Sequence, residues 1–370
     1  MNFEFNEEQA MLRESLAAYL ADHYDFEARR KAAAGLTGWR PEIWAGFADR
    51  LGLLGATLPL ACGGFGGGAV ENMIVMEELG KALSLEPWLE TIVLARPLLE
   101  DGGSIAERLL AEIAAGGAIA VPVLPGRPGT GRSDLQITGP GGNETLSGSA
   151  RTVRQAAIAS HYIVAASDDD GDPVLLAFPV GTVGIERHDY RAVDGSWLSD
   201  LLFDRVALPA GARVGGQVAA SARIDAALDA GLAALCAESL GIQRRLLEQT
   251  VAYAKERKQF GRPIGEFQAL QHRMADMFMR VEESVSMTYM AALRMTDTPR
   301  ARAAAVAMAK VAVDEAARFV GQSAIQIHGG MGMTRELPVA DGFARLTVIA
   351  LQLGTTTEQL RRYDAHRLAA

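Results

Sequence analysis

The sequence is poor in the residues that several classes of protein need. Its only two cysteines, Cys62 and Cys236, lie far apart and outside any Cys-x-x-Cys spacing, which argues against a structural disulfide and against a thiolate zinc site. It contains no HExxH and no GxSxG pattern, so the motifs of zinc peptidases and α/β-hydrolases are absent. The six histidines show no metal-ligand spacing, and we expect no metal site.

Positive charge is scarce as well. The chain has 36 lysines and arginines against 45 aspartates and glutamates, which gives a net charge of −9. A protein that binds nucleic acid needs a basic face to neutralise phosphates, so we expect no nucleic-acid partner. An anionic cofactor would have to be held by a local cluster of Arg or Lys.

Long apolar runs are also missing. No uninterrupted apolar stretch approaches the ~20 residues of a membrane-spanning helix. The acidic beginning of the sequence, MNFEFNEEQAML, lacks the apolar segment of a secretory signal. We therefore expect a soluble cytoplasmic protein with no membrane partner.

The pattern of helical and β-rich segments divides the chain into three parts. Residues 1–117 have helical patterns punctuated by Gly and Pro, residues 118–218 contain short β-rich runs such as HYIVAAS and PVLLAFPV, and residues 219–370 contain long helical patterns. No helices of useful length alternate with the β-rich runs, which disfavours a parallel βαβ sheet. The predicted fold class is α+β, with an N-terminal helical domain, a middle antiparallel β domain and a C-terminal four-helix bundle.

Local signals mark where individual helices begin and end. Asn6 and Gln9 have the spacing of a capping box. Thr298 is a good N-cap and Pro299 a good first helical residue, and Gly329 suits the left-handed position that follows a helix. A further helix is predicted over much of the last ~30 residues.

A glycine-rich stretch, Cys62–Ala69, contains the pattern G-x-G-x-x-A. A dinucleotide-binding fingerprint also needs a βαβ unit and an acidic residue after a second strand. Here another helical segment follows, so we interpret the stretch as a turn that leads into a helix.

Two stretches suggest chemistry. Lys255–Met277 concentrates positive charge around a Gly-Pro turn, and Gln326–Val339 carries a glycine pair at a predicted helix end, where a ligand can approach the backbone closely. Together they resemble the C-terminal domain of the acyl-CoA dehydrogenase family. The family's R-x-x-F-G element is matched by Arg257 to Gly261, and its Q-I-x-G-G-x-G element by Gln326 to Gly332. Residues 39–83 and 193–209 resemble its N-terminal domain and the end of its β domain.

The resemblance implies FAD-dependent α,β-dehydrogenation of an acyl-CoA thioester. A carboxylate removes the α-proton while the β-hydrogen leaves as hydride to the flavin. It also implies a dimer or tetramer, an FAD shared across a subunit interface, and reoxidation by an electron-transfer flavoprotein. The cofactor-binding residues carried over from the family are Arg257, Gln259, Phe260, Gln326, Gly329, Gly330 and Thr355.

The catalytic positions of the family do not carry a carboxylate here. Gly354 and Thr355 match the family's E-G-T turn, but the position of the glutamate is Leu353. The second position used by some members, near the start of the first C-terminal helix, falls on Gly231. No catalytic residue is therefore predicted at either position.

The part that would hold the flavin ring also departs from the family. The stretch VLPGRPGTGRSD lacks the Thr-Glu pair of the family's T-E-P-x-x-G-S-D loop, Thr152 lies near the place of a packing aromatic residue, and the R-D-A motif has become Ala344–Leu346. Because the residues that reach a neighbour's FAD survive, we interpret the chain as the non-catalytic subunit of a heteromer with a paralogous catalytic subunit. The resemblance further implies a bulky acyl-CoA substrate, such as one with a steroid side chain, with which bacterial members of this heteromeric kind are associated.

Three alternatives stay open. A self-sufficient homomeric acyl-CoA dehydrogenase would need a displaced base, for which Asp229, Glu238 and Glu358 are candidates. A non-enzymatic relative would bind an acyl-CoA or only another protein. A flavin monooxygenase of the same fold would not need the glutamate.

Overall fold

Helices form the first part of the computed structural model, which describes residues 5–35, 37–124, 134–139, 143–334 and 336–368. The first helix begins with the predicted capping box: Asn6 accepts the N–H of Gln9, and the Gln9 side chain accepts the N–H of Asn6. The N-terminal helices are α1 (Glu7–His23), α2 (Phe26–Ala34), α3 (Pro41–Asp49), α4 (Ala69–Ala82), α5 (Ala95–Leu99) and α6 (Ser104–Ala114). Among the residues described, no helix has the length and apolar character needed to cross a bilayer.

The middle of the chain forms one sheet. Its strands are β1 (Ala120–Val123), β2 (Gln136–Thr138), β3 (Thr145–Arg154), β4 (His161–Ser167), β5 (Pro173–Pro179), β6 (Ile185–Arg191) and β7 (Trp197–Ala207). Most neighbours are antiparallel, but β4 pairs in parallel with β1 and, at one residue pair, with β2. The sheet is therefore mixed rather than purely antiparallel. After β1 the chain forms the β2–β3 hairpin, and β4 then lies beside β1 in the same direction. A parallel pairing between strands that are not consecutive cannot be predicted from short β-rich runs.

The last part is a helical bundle. It contains α7 (Ala220–Glu256), the short hairpin strands β8 (Lys258–Gln259) and β9 (Arg262–Pro263), then α8 (Gln268–Leu293), α9 (Pro299–His328), α10 (Val339–Ile349) and α11 (Thr356–Leu368). Thr298 and Pro299 take the predicted N-cap and first helical positions. The single helix expected at the end of the chain is two helices, because Leu353 and Gly354 both have positive φ and interrupt it.

Two glycines let the first part of the chain pack directly on the bundle. A Cβ atom at Gly80 on α4 would lie 2.2 Å from the Glu238 carbonyl oxygen on α7, and one at Gly241 on α7 would lie 2.0 Å from the Glu77 carbonyl oxygen on α4. The two backbones therefore touch, and any larger residue at either position would separate the helices.

The prediction for the glycine-rich stretch is confirmed, because residues Cys62–Ala69 form a turn that leads into α4. The domain boundaries at 117/118 and 218/219 stay predictions. Most of the VLPGRPGTGRSD stretch lies outside the described residues.

Candidate functional site

A cavity of about 460 Å³ opens where the three parts of the chain meet. Its walls come from the segment before α5, from β3 and β7, and from the turn between α10 and α11. Leucine, valine, alanine and proline side chains cover most of the surface. The polar residues on the described part of its wall are Glu90, Arg151, Thr152, Arg154 and Gln352.

Leu353 and Gly231, the two positions where the family resemblance places the base, lie against each other beside this cavity. Leu353 is half-buried in the turn between α10 and α11, with φ of 54°. A Cβ atom at Gly231 would lie 2.6 Å from Leu353 Cδ1 and 2.7 Å from Leu94 Cδ2. Apolar side chains therefore fill the space that a carboxylate at position 231 would need.

Two of the three candidate displaced bases are held in buried ion pairs. Asp229 on α7 binds Arg302 at 2.7 Å and also Arg362. Glu238 accepts two hydrogen bonds from Arg345, at 2.6 and 2.8 Å. Neither carboxylate lies on the wall of the cavity.

The third candidate, Glu358, caps the start of α11. Its carboxylate accepts the backbone N–H of Thr355 at 2.7 Å and the Thr355 hydroxyl at 2.8 Å. Thr355, predicted to bind cofactor, therefore lies at the N-terminus of α11 with its polar groups already bonded. It borders a second cavity of about 400 Å³ together with Arg318 on α9 and Thr347 on α10.

Arg345 belongs to a buried ionic cluster that the sequence did not reveal. Besides Glu238, it contacts Asp194 of the β6–β7 loop at 3.1 Å. Burial would lower the pKa of Arg345, but the charges of Glu238 and Asp194 outweigh it, so the pKa is raised. Burial would raise the pKa of Asp194, but the charges of Arg345 and Arg154 and hydrogen bonds from Ser196 lower it. The stretch in place of the R-D-A motif thus joins α7, α10 and the β domain.

Buried Glu90 and half-buried Arg154 form a second ion pair, on the cavity wall. Arg154 Nε donates to Glu90 Oε1 at 2.9 Å, and Arg154 Nη1 donates to the Ser196 hydroxyl at 3.1 Å. Glu90 lies in a π-helical segment, Leu89–Leu94, hereafter the π segment, all of whose residues are buried. Pro97 follows it inside α5; its ring lacks an N–H and would collide with the Val93 carbonyl of a regular α-helix, which accounts for the wider turn.

Sequence reasoning missed Glu90, although one signal was available. Glu90 is the single charged residue in the apolar run PWLETIVLA, Pro87–Ala95. A buried carboxylate needs a cationic partner, but the partner, Arg154, is 64 residues away along the chain, so the sequence could not identify it.

The predicted residues of the two C-terminal motifs gather far from the cavity. Arg257 follows α7, and the β8–β9 hairpin turns at Phe260 and Gly261, both with positive φ. Phe260 is 92% exposed, and its ring makes a T-shaped contact with Phe267, with 6.1 Å between the ring centroids. Gln259 is exposed too.

The second motif lies beside the first. The His328 ring at the end of α9 stacks on Tyr253 of α7 at 4.3 Å, which brings Gln326, Gly329 and Gly330 to the same end of the bundle as Arg257. Gln326 and both glycines are exposed, and a Cβ atom at either glycine would meet nothing within 4 Å. We call this group, from Arg257 to Phe260 with Gln326, Gly329 and Gly330, the exposed end.

The group around Gly231 and Leu353, which we call the filled end, lies far from the exposed end. Gly231 and Glu256 belong to one uninterrupted helix, and 25 residues of α-helix extend over ~37 Å. A molecule in the 460 Å³ cavity therefore cannot also touch Arg257 of the same chain. Thr355 belongs with the filled end, and the other predicted cofactor residues belong to the exposed end.

Comparisons with known proteins agree on one family. The family model described as "Acyl-CoA dehydrogenase, N-terminal domain" matches residues 6–117, and "Acyl-CoA dehydrogenase, C-terminal domain" matches residues 222–366. Acyl-CoA dehydrogenase IpdE2 of Mycolicibacterium smegmatis is 30% identical over 360 residues, which cover 97% of this chain and 99% of that protein.

Solved structures give the same result. A chain of the ChsE4-ChsE5 complex from Mycobacterium tuberculosis superposes with a TM-score of 0.89 at 28% identity, over 100% of this chain and 99% of that one. A Tcur3481-Tcur3483 steroid ACAD variant superposes with a TM-score of 0.88 at 27% identity, over 98% of each chain. With its helical, β and helical parts in the same order, the chain belongs to the acyl-CoA dehydrogenase family.

Proposed function

We propose that this chain is the base-lacking subunit of a heteromeric, FAD-dependent acyl-CoA dehydrogenase. The observation that carries the proposal is the contact between Leu353 and Gly231: apolar atoms meet where either base would stand. A positioned general base contributes roughly 10²–10⁴ in rate. Since Asp229, Glu238 and Glu358 are engaged in ion pairs or a helix cap, the paired partner would supply the base.

The exposed end has the groups that the distal half of an FAD molecule needs. Arg257 offers a guanidinium to a pyrophosphate, and Phe260 offers an aromatic face to a base. Gly329 and Gly330 leave open space for close approach to the backbone. Bound FAD supplies the hydride acceptor; this chain holds the cofactor's far end, while its partner holds the ring.

Solved relatives support a partner of the same family. The ChsE4-ChsE5 and Tcur3481-Tcur3483 structures are each named for two chains. The Tcur3481-Tcur3483 structure is described as a steroid ACAD. We infer that this chain pairs with a paralogue that carries the glutamate before its Gly-Thr turn. A bulky acyl-CoA, such as one with a steroid side chain, is the proposed substrate, and an electron-transfer flavoprotein is the proposed electron acceptor.

Flavin stoichiometry tests the proposal. The chain is expressed alone and together with the paralogue, saturated with FAD and desalted, and the visible flavin absorbance is measured. We expect little FAD on the chain alone and about one FAD per pair of chains in the complex. About one FAD per chain in the isolated protein would contradict the proposal.

A variant of the exposed end separates cofactor binding from assembly. Arg257→Ala should weaken FAD binding by the complex roughly tenfold or more, because a charge-assisted contact to phosphate is lost. Arg205→Ala is the matched control, since the Arg205 side chain is 82% exposed in the β domain. Unchanged FAD affinity in an assembled Arg257→Ala complex would show that this arginine does not hold the cofactor.

A further inference from the structure

A third cavity, of about 360 Å³, lies in the N-terminal part of the chain between α1 and α3. We call it the α1–α3 cavity. Its volume falls within the ~300–1,000 Å³ of ordinary small-molecule sites. It is lined by Tyr19, His23, Arg40, Glu42, Ile43, Ala45, Gly46, Asp49 and Arg50. None of these residues lines the cavity at the filled end or belongs to the exposed end, so the α1–α3 cavity is separate from both.

The missing side chain of Gly46 makes room for a hydroxyl group on the cavity wall. A Cβ atom at Gly46 would lie 1.8 Å from the Tyr19 hydroxyl oxygen, so no larger residue fits at position 46 while Tyr19 keeps its place. Within the part of the chain that the structure describes, this hydroxyl has no hydrogen-bond partner. A tyrosine hydroxyl that is sheltered from bulk water usually donates to an acceptor, and a ligand oxygen in the cavity would serve as one.

Arg50 brings a positive charge to the same cavity. Its Nη1 atom lies 3.2 Å from His23 Nε2, and His23 Nδ1 lies 2.9 Å from the Tyr19 carbonyl oxygen. Because a guanidinium carries only donors, Nε2 accepts and the Nδ1–H donates to the carbonyl, which makes the imidazole neutral. Among the described residues no carboxylate pairs with Arg50, whereas Arg40 is paired with Glu42 at 2.8 Å. The charge of Arg50 is therefore available to a ligand.

The electric field at the Tyr19 hydroxyl has the sign that favours an anion. Burial raises the pKa of Tyr19, and the two charges that act on it most strongly, Arg50 and Arg40, lower that pKa. The carboxylates of Glu86 and Glu42 raise it more weakly. Positive charge thus dominates at the hydroxyl, and the hydroxyl itself can donate a hydrogen bond to a negatively charged oxygen.

We propose that the α1–α3 cavity binds a small organic anion through its carboxylate. The Arg50 guanidinium and the Tyr19 hydroxyl donate to the carboxylate oxygens, while Ile43 and the backbone at Gly46 contact the apolar body. The site needs neither flavin nor a partner chain, so it goes beyond the proposed function. A ligand bound there joins the C-terminal ends of α1 and α3, where His23 and Arg50 lie.

Methyl NMR on the purified chain tests the proposal, with benzoate as the probe and benzamide as its neutral analogue. The reporter is the δ1-methyl group of Ile43, assigned through Ile43→Val, and the methyl group of Ile137 in β2 is the internal control. We expect a saturable shift of the Ile43 signal, with a Kd on the order of 1 mM for benzoate and roughly tenfold weaker binding of benzamide. Equal affinities would overturn the role of charge, and an unchanged Ile43 signal would overturn the site.

Substitutions on the wall separate the polar contributions. Arg50→Gln should weaken benzoate binding roughly tenfold, and Tyr19→Phe, which keeps the ring, roughly threefold. Asp49→Asn removes the unpaired carboxylate from the wall and should strengthen binding roughly threefold. Arg205→Gln is the matched control, since that side chain is 82% exposed in the β domain. A loss of affinity equal in Arg50→Gln and Arg205→Gln would show that benzoate responds only to the overall charge of the chain.

Filling variants locate the site. Ala45→Phe, at an exposed position on the rim of the α1–α3 cavity, should weaken benzoate binding at least tenfold. Ala192→Phe, which makes the same change in the cavity at the filled end, should leave it unchanged. The reverse result would place the anion in the other cavity and overturn the proposal. Neither result bears on the number of FAD molecules per chain, so this proposal and the shared flavin can fail separately.

Discussion

The filled end and the exposed end of α7 differ in how completely their groups are satisfied. At the filled end, apolar side chains meet across the place of a base, and carboxylates such as Asp229 and Glu238 have arginine partners. At the exposed end, a phenylalanine ring and two glycines face solvent. The filled end is the arrangement that stability alone favours, whereas an exposed phenylalanine ring and two exposed glycines contribute little to the stability of the chain. The difference supports the proposal that the exposed end binds a partner or ligand.

The largest effect is expected from breaking the ionic cluster beside the filled end. Arg345→Met leaves Glu238 and Asp194 buried without their cation, and such a change costs about 3–5 kcal/mol. Urea denaturation measures the free energy of unfolding. Arg205→Met, at a largely exposed side chain, should stay within about 0.5 kcal/mol of the unchanged protein. A loss below about 1 kcal/mol for Arg345→Met would mean that the cluster does not stabilise the fold.

A smaller loss should follow from restoring a carboxylate at the helix position. Gly231→Glu forces a side chain into Leu353 and Leu94 and buries a polar group, at an expected cost of about 2–4 kcal/mol. Leu353→Ala opens that space, so the two changes together should cost at least about 1 kcal/mol less than their sum. Gly215→Glu is the control, because a Cβ atom there meets nothing within 4 Å. Additive costs would show that positions 231 and 353 are not in contact.

The smallest effect, and one of opposite sign, is expected at the exposed end. A bulky residue with positive φ is strained by roughly 1–2 kcal/mol, and an Asn-Gly pair suits a two-residue hairpin turn better than Phe-Gly. Phe260→Asn relieves this strain but loses the contact with Phe267. We therefore expect a net stabilisation of the isolated chain by about 0.5 kcal/mol. The same variant should weaken FAD binding by the complex. Destabilisation by more than about 1 kcal/mol would show that Phe260 serves the fold.

Features encoded by neighbouring residues could be predicted from the sequence. The capping box at Asn6 and Gln9 and the start of α9 at Thr298 each depend on groups within four residues. The order of helical and β parts follows from periodicity, which is also local. The gathering of Arg257 and Gln326 at one end of the bundle followed from the family resemblance and not from the pattern of residues.

Features that depend on distant residues could not be predicted in this way. Arg345 meets Glu238, which is 107 residues away, and Asp194, which is 151 residues away. From the sequence alone, the stretch Ala344–Leu346 therefore shows only that the R-D-A motif is missing. It does not show that Arg345 within this stretch binds two distant carboxylates. The parallel pairing of β1 with β4 and the ion pair of Glu90 with Arg154 likewise depend on how the whole chain folds.

The buried charges also bear on how the molecule unfolds. Hydrogen bonds and ion pairs run from Glu90 in the N-terminal part, through Arg154, Ser196 and Asp194 of the β domain, to Arg345 of the bundle. Separating any one of these three parts from the others breaks at least one of these contacts. The free-energy cost of doing so couples them into one cooperative unit.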